Sequence, residues 1–267
     1  MRKLAVLGGG NLGRALALGW VGAGRFAPTD IHITRRQDDK LQDMRELGFL
    51  TGADNARAVR DSNLVVIAVQ PQQLDELLSD IADDLDPKRH RVVSVVSGVS
   101  IAQTRAGLGE DVPLVRAMPN TAVAIGESMT CLAADEASEG ALEEAQELFD
   151  LVGRTLVIQE EMMAPATALC ACGVAFFLRC IRAASQGGIE IGFHPEEALL
   201  LAGQTARGAA SLSLRENSHP EGEIDRVTTP RGCTIVGLNE MEHRGLSSAL
   251  IKGLIVSARA AEQLYTE

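Results

Sequence analysis

The stretch "LAVLGGGNLGRALALGW", residues 4–20, decides the fold. A short apolar run stops at three glycines and passes directly into a pattern of helical period, which reads as strand, glycine-rich turn, helix. Gly8, Gly10 and Gly13 stand in GxGxxG spacing. In such a turn the first glycine permits the tight bend. The second lets the backbone approach a diphosphate, and the third lets the helix pack closely on the strand. The diphosphate would lie at the helix N-terminus, beside Asn11 and Leu12, where unpaired N–H groups and the helix dipole favour an anion. The spacing alone is common. Placed after the first strand and opening a helix, it makes dinucleotide binding the expected reading, with a purely structural glycine turn as the alternative.

Outward from this stretch the chain alternates. Apolar, largely β-branched runs at 3–8, 30–34, 63–69, 91–97 and 113–118 are expected strands, separated by helical patterns at 11–24, 38–48, 72–84 and 101–108. Two further strands, around 129–133 and 154–158, flank a helix at 138–152. The alternation implies a parallel sheet covered on both faces, that is, an α/β fold. After about residue 160 no strand signal remains, and apolar residues recur at helical spacing over 171–187, 195–215 and 245–264. The expected organisation is a dinucleotide-binding domain over residues 1–160 followed by an all-helical domain over 161–267. The segment "ALCACGVAFFLRCIRAA" (168–184) is apolar nearly all round, so its helix is expected to be buried, in the chain's own core or in an oligomer.

The second strand ends "HITRRQDD". A site for NAD(H) calls for an acid at this strand end to accept the ribose 2′-hydroxyl. Thr34, Arg35 and Arg36 stand there instead, and the first acids, Asp38 and Asp39, suit the cap of the next helix. Arginine matches a 2′-phosphate by its forked donors, so NADP(H) is preferred, with NAD(H) possible. Two more loops follow strand ends, where open α/β sheets bind ligands. "AVQPQ" offers Ala68, Val69, Gln70 and Pro71, and "AMPNTA" offers Met118, Pro119 and Asn120.

Bulk composition narrows the partners. Thirty-six acidic against 25 basic residues give a net charge of −11, and aromatics are 3%. Both oppose a nucleic-acid surface. Five cysteines without a CxxC pair read as reduced thiols, and the five scattered histidines suggest no metal site. "MRK" before the first strand is too short for a signal peptide, and no run of roughly 18 apolar residues stands out. The expectation is a soluble cytoplasmic protein with a small-molecule substrate and no membrane or nucleic-acid partner.

"GGGNLG" (8–13), "VVIAVQPQ" (65–72), "RAMPNT" (116–121), "GQTARGAA" (203–210) and "VTTPRGCTIVGL" (227–238) occur in that order. Together they resemble pyrroline-5-carboxylate reductase, over essentially the whole chain. The resemblance implies a Rossmann-type domain, a helical domain that makes a homodimer, in some members a ring of dimers, and reduction of 1-pyrroline-5-carboxylate to L-proline with NAD(P)H, the final step of proline biosynthesis. It implies an active site at the dimer interface, between the nicotinamide and a loop that reads here Thr229-Pro230-Arg231-Gly232-Cys233-Thr234. Backbone N–H groups of that loop would hold the substrate carboxylate, and the hydroxyl of Thr234 would donate near the imine nitrogen. Asn55, in "GADNA", matches a family asparagine close to the adenosine ribose.

The chain departs from the family pattern around the substrate. Where the family usually reads T-A-L-S-G-S-G-P-A-Y, residues 167–176 carry Cys170, Cys172, Val174 and Phe176 in place of two serines, the proline and the tyrosine. Arg231 replaces the first glycine of the loop, Gln70 a lysine, and Ala122 a proline. A glycine at positive φ would leave Arg231 strained, and otherwise its cation would be available to a carboxylate. The departures leave two alternatives: a reductase of another cyclic imine, and a catalytically weak NADP(H)-binding dimer. A β-hydroxyacid dehydrogenase would place a lysine on the first long C-terminal helix. Residues 171–187 hold Arg179 and Arg182 but no lysine.

Overall fold

The computed structural model describes residues 3–109 and 111–265. Packing divides the chain into two compact units, Met1–Ala171 with Val256–Glu267, and Cys172–Ile255. The boundary expected at 160/161 lies shortly before this division.

The first unit opens with β1 (Leu4–Leu7), α1 (Asn11–Gly22), β2 (Ile31–Thr34), α2 (Gln42–Glu46), β3 (Leu50–Gly52) and α3 (Asn55–Arg60). It continues through β4 (Leu64–Ile67), α4 (Leu74–Ile81), β5 (Arg91–Ser94), α5 (Ile101–Leu108) and β6 (Leu114–Met118), then β7 (Ser128–Ala134), α6 (Glu139–Asp150) and β8 (Gly153–Val157). The eight strands form one sheet in the order β3-β2-β1-β4-β5-β6-β7-β8. All neighbours are parallel except β6 and β7. The expected α/β sheet is therefore present, with one antiparallel step. The connection from Met118 to Ser128 is too short for the crossover that a parallel pair requires. The sequence reading also missed β3, an edge strand of three residues.

Residues along β1 alternate between two cores. Leu4 and Val6 pack with Trp20, Ile31 and Ile33 on one face, and Ala5 and Leu7 with Val65, Ile67 and Leu74 on the other. This is why the run is apolar without a gap: both faces are covered. Trp20 stands edge-on to Phe149 with ring centroids 5.8 Å apart, and its indole N–H donates to the Leu148 carbonyl at 3.0 Å.

After β8 come α7 (Met163–Ala166), a π-helical turn (Thr167–Cys172) and α8 (Gly173–Glu190), followed by α9 (Pro195–Ser213), α10 (Pro220–Val227), α11 (Cys233–His243) and α12 (Leu246–Glu262). Within the second unit α8 lies against α9, with Gly188 close to Ala198. The expectation that the apolar helix is buried does not hold within the single chain. In α8 only Gly173 and Ser185 are buried, and Phe177 and Leu178 are 58% and 57% exposed. A two-layer helix pair cannot cover an apolar helix on every side. The expectation that no stretch is apolar enough to cross a membrane also needs correction. By length and composition the 31-residue helical run Glu160–Glu190 qualifies, with a mean hydropathy of 1.7 over an 18-residue window. The sequence reading missed it because Arg179 and Arg182 interrupt the apolar run, whereas the mean over a helical window tolerates them.

Candidate cofactor cleft and substrate loop

The turn after β1 is built by close backbone contacts. Gly8 adopts φ +115°, and its N–H donates to the Thr34 carbonyl at 3.1 Å. Gly9 donates to the same carbonyl at 2.7 Å. A side chain at Gly8 would run into the Ala68 carbonyl, and one at Gly13 into the Gly8 carbonyl. Gly10 differs: no heavy atom lies within 4 Å of the position its Cβ would take. Gly10 is the N-cap of α1 and supplies no side chain to cap it. The first-turn N–H groups of Asn11, Leu12 and Gly13 are thus free of a side-chain cap, beneath open space.

That space is a cleft of about 890 Å³ lined by Gly8, Gly10, Thr34, Arg35, Arg36, Asn55, Ala68, Val69 and Gln70, among others. Asn11, Leu12 and Gly13 adjoin it as the start of α1, and Pro71 follows Gln70 as the first residue of a short 3-10 turn. Side-chain bonds fix its polar wall. Thr34 is 1% exposed, and its hydroxyl donates to Oδ1 of Asn55 at 2.6 Å. The Asn55 amide in turn donates to Asp80 at 3.1 Å. Arg35 donates from Nη1 to the Gly9 carbonyl at 3.0 Å, which holds it over the turn. Arg36 reaches outward, with Nη1 3.7 Å from Oε2 of Glu76.

Sequence reasoning missed Glu76 and Asp80, which line the cleft together with Gln73 and Leu77. Positions 73, 76, 77 and 80 fall on one stripe of a helix, but Leu77 is buried and the polar members read as a solvated face until β2 is seen opposite.

Met118, Pro119 and Asn120 are not brought into this cleft. Met118 is 2% exposed and belongs to a separate core cluster with Cys131 and Met163. The Asn120 amide donates to the Cys170 carbonyl at 3.1 Å, and its Oδ1 accepts from the Ala122 N–H at 2.9 Å. Asn120 thereby ties the end of β6 to the π-helical turn. At the same place Sγ of Cys131 and Sγ of Cys170 are 3.9 Å apart. Hydrogen bonding to Cys131 pulls the Cys170 thiol down to about 7, while the same bond and burial push Cys131 up.

In the second unit, residues 228–232 join α10 to α11, whose first two residues are Cys233 and Thr234. The Gly232 N–H donates to the Thr229 carbonyl at 2.9 Å, closing a four-residue turn with Pro230 second and Arg231 third. Arg231 sits at φ +60°, the left-handed region that such turns reserve for glycine. A side chain at Gly232 would push against the Thr229 hydroxyl and carbonyl and force the Thr229 side chain to turn. Gly232 is also the N-cap of α11 and leaves the first turn without a side-chain cap. The N–H groups of Cys233 and Thr234 therefore head a helix dipole, the arrangement suited to a carboxylate. Cys233 is exposed and Thr234 half-buried.

Two family models match the chain. One, described as pyrroline-5-carboxylate reductase dimerisation, matches residues 160–264, and the other, NADP oxidoreductase coenzyme F420-dependent, matches residues 3–98. Pyrroline-5-carboxylate reductase 1 of Dictyostelium discoideum is 49% identical over 99% of this chain, which spans half the length of that relative. Pyrroline-5-carboxylate reductase 2 of the same organism is 46% identical over 98% of this chain and 93% of its own length. The crystal structure of Plasmodium falciparum pyrroline carboxylate reductase with NADP bound superposes with a TM-score of 0.90 at 21% identity, over 99% of this chain and 98% of that one. With this identity along nearly its whole length, the chain belongs to the pyrroline-5-carboxylate reductase family.

Proposed function

We propose that the protein reduces 1-pyrroline-5-carboxylate to L-proline, using NADPH in preference to NADH, as a cytoplasmic homodimer. The observation that carries the cofactor reading is the open space over Gly10 at the uncapped start of α1, where main-chain N–H groups are free to meet a diphosphate. Gly8, Gly10, Asn11, Leu12 and Gly13 would hold the diphosphate through main-chain N–H groups. Thr34 and Asn55 would face the adenosine ribose, Arg35 and Arg36 the 2′-phosphate, and Ala68, Val69, Gln70 and Pro71 the chain beyond. Met118, Pro119 and Asn120 act from behind, by setting the end of β6. When bound, the reduced nicotinamide supplies the hydride that converts the imine carbon to a saturated one.

The protein's own contribution is positioning. N–H groups of Cys233 and Thr234 bind the carboxylate at the head of α11, with the Gly232 N–H and the Thr229 carbonyl closing the turn beside them and Arg231 adding a cation. The Thr234 hydroxyl hydrogen-bonds at the nitrogen and orients the ring, donating to a neutral imine and accepting from the N–H of a protonated one, so that the catalytic group is a hydrogen-bonding partner rather than a strong acid. A substrate that arrives protonated on nitrogen needs no more. Among the described residues no cluster of His, Cys, Asp or Glu could hold a metal ion. The exposed face of α8, with Phe177 and Leu178, is proposed as the surface that a second copy covers, in line with the dimerisation model that matches this region.

The test is direct. Protein, NADPH and 1-pyrroline-5-carboxylate are mixed, and loss of reduced-nicotinamide absorbance is followed alongside proline formation. Turnover to proline is expected. NADPH binding without turnover would sink the proposal and leave two readings, a reductase of a different cyclic imine admitted by Cys170, Cys172, Val174 and Phe176, and a catalytically weak NADP(H)-binding dimer.

A further inference from the structure

The cofactor cleft lacks an acid at the end of β2, yet it is not free of acids. Glu76 and Asp80 stand one helical turn apart on α4, and both line the cleft opposite β2. Asp80 is engaged in holding the Asn55 amide at 3.1 Å. Glu76 lies 3.7 Å from Nη1 of Arg36, and both side chains are open to solvent. Arg35, the other cation at this corner, is tied to the Gly9 carbonyl at 3.0 Å, so Arg36 is the more mobile partner for an incoming anion.

These positions have opposite consequences for the two nicotinamide cofactors. A 2′-phosphate carries close to two negative charges. When it meets Arg36 it comes close to the Glu76 carboxylate, which repels it and draws on the same guanidinium. An unphosphorylated ribose presents hydroxyls, which a carboxylate accepts. Resting on the cofactor reading above, we infer that Glu76 is a specificity-determining residue: it competes with the 2′-phosphate for Arg36 and so narrows the preference for NADPH over NADH. The acid that tempers NADPH thus comes from the helix after β4 rather than from the end of β2. The pair is exposed, so its weight is modest and falls as salt screens it.

The test measures dissociation constants of NADPH and NADH by fluorescence for the full-length protein, for Glu76→Gln, for Arg36→Gln and for the double variant, at low and high salt. Glu76→Gln should tighten NADPH by about two- to fivefold, as expected for one exposed, screened charge. NADH should change less than twofold or weaken, and the NADPH gain should shrink at high salt. In the Arg36→Gln background the gain should be largely lost. The fragments 2′,5′-ADP and 5′-AMP should repeat the contrast without the nicotinamide end. Equal changes for both cofactors, or no change in either, would overturn the inference. A wild-type protein that binds neither NADPH nor NADH would instead remove the cofactor reading itself.

Discussion

The hydroxyl of Thr34 donates to Oδ1 of Asn55 at 2.6 Å, and this bond decides which way the Asn55 amide faces. With Oδ1 engaged, the amide nitrogen turns to Asp80, and the side chain becomes a fixed wall of the cofactor cleft. Thr34→Val keeps the shape and removes the donor. Loss of one buried hydrogen bond is worth about 1 kcal/mol, so NADPH should bind roughly fivefold more weakly. Thr34→Ser should restore most of the affinity. If valine binds NADPH as threonine does, Asn55 is not oriented for the cofactor.

Much of this cleft was legible before the structure, because its walls are main chain. A glycine at position 8, 10 or 13 announces a backbone constraint, and the order of strands places the turn at the sheet's carboxyl end. What the sequence concealed depends on contacts without a local signature. β3 is "LTG", with Leu50 exposed and a glycine at its end, so neither burial nor propensity marks it. The reversal of β7 follows from the length of the connection to β6 rather than from β7 itself. The polar stripe of Glu76 and Asp80 resembles any solvated helix face until β2 is seen opposite. The composition of α8 was read correctly as needing cover, but one chain does not contain that cover.

The three glycines should separate folding from binding. Gly10→Ala adds a methyl group to open space, so the variant should fold with near-normal thermal stability. It should lose about tenfold or more in NADPH affinity, since the methyl occupies the diphosphate's approach. Gly13→Ala meets the Gly8 carbonyl and should destabilise the fold by about 1–3 kcal/mol, as overpacking does. Urea unfolding with cofactor titration distinguishes the two. Unchanged NADPH affinity in Gly10→Ala would argue against a diphosphate at this turn.

The thiol pair sets up a second contrast. Cys170 is held down to about 7 by its hydrogen bond to Cys131, whereas Cys131 is buried and pushed up. Reactivity follows the thiolate. Iodoacetamide should therefore alkylate Cys170 with a rate that rises to a plateau near neutral pH, and Cys131 hardly at all. Peptide mass analysis reads both sites. Cys131→Ala should return the Cys170 profile toward that of an ordinary cysteine. An unchanged profile in that variant would mean that the pair does not share its proton.

His90 ties stability to pH. It is buried, Nδ1 accepts from the Asp86 N–H at 2.8 Å, and Nε2 lies 3.2 Å from the Val59 carbonyl. Burial, and then the neighbouring Arg89, lower its affinity for a proton. The unfolded chain then binds more protons than the folded one between the lowered folded value and the ordinary histidine value of 6.5. Stability is thus complete above that value and declines as pH falls through the window below it. Buried His32 is shifted in the same direction, also mainly by burial, and adds to the slope. His90→Gln should flatten part of the acid decline in urea-derived stability while lowering stability at neutral pH. An acid slope as steep as that of the native chain would exclude His90 from it.

Arg231 combines a strained backbone with an exposed charge that has no ion-pair partner among the described residues. Its φ of +60° places a side chain where the family's loop has glycine. A non-glycine residue in this conformation costs about 1 kcal/mol, part of which glycine returns through its freer unfolded chain. Arg231→Gly should therefore raise stability by roughly 0.5 kcal/mol or more in urea unfolding. The same change removes an exposed cation beside the uncapped start of α11. Loss of a screened attraction of this kind should raise KM for 1-pyrroline-5-carboxylate about threefold while leaving kcat within twofold. Arg231→Asn tolerates the left-handed conformation and should show the KM increase with little gain in stability. If KM stays constant in both variants, Arg231 serves only as a costly turn residue, and the carboxylate is held by the main chain alone.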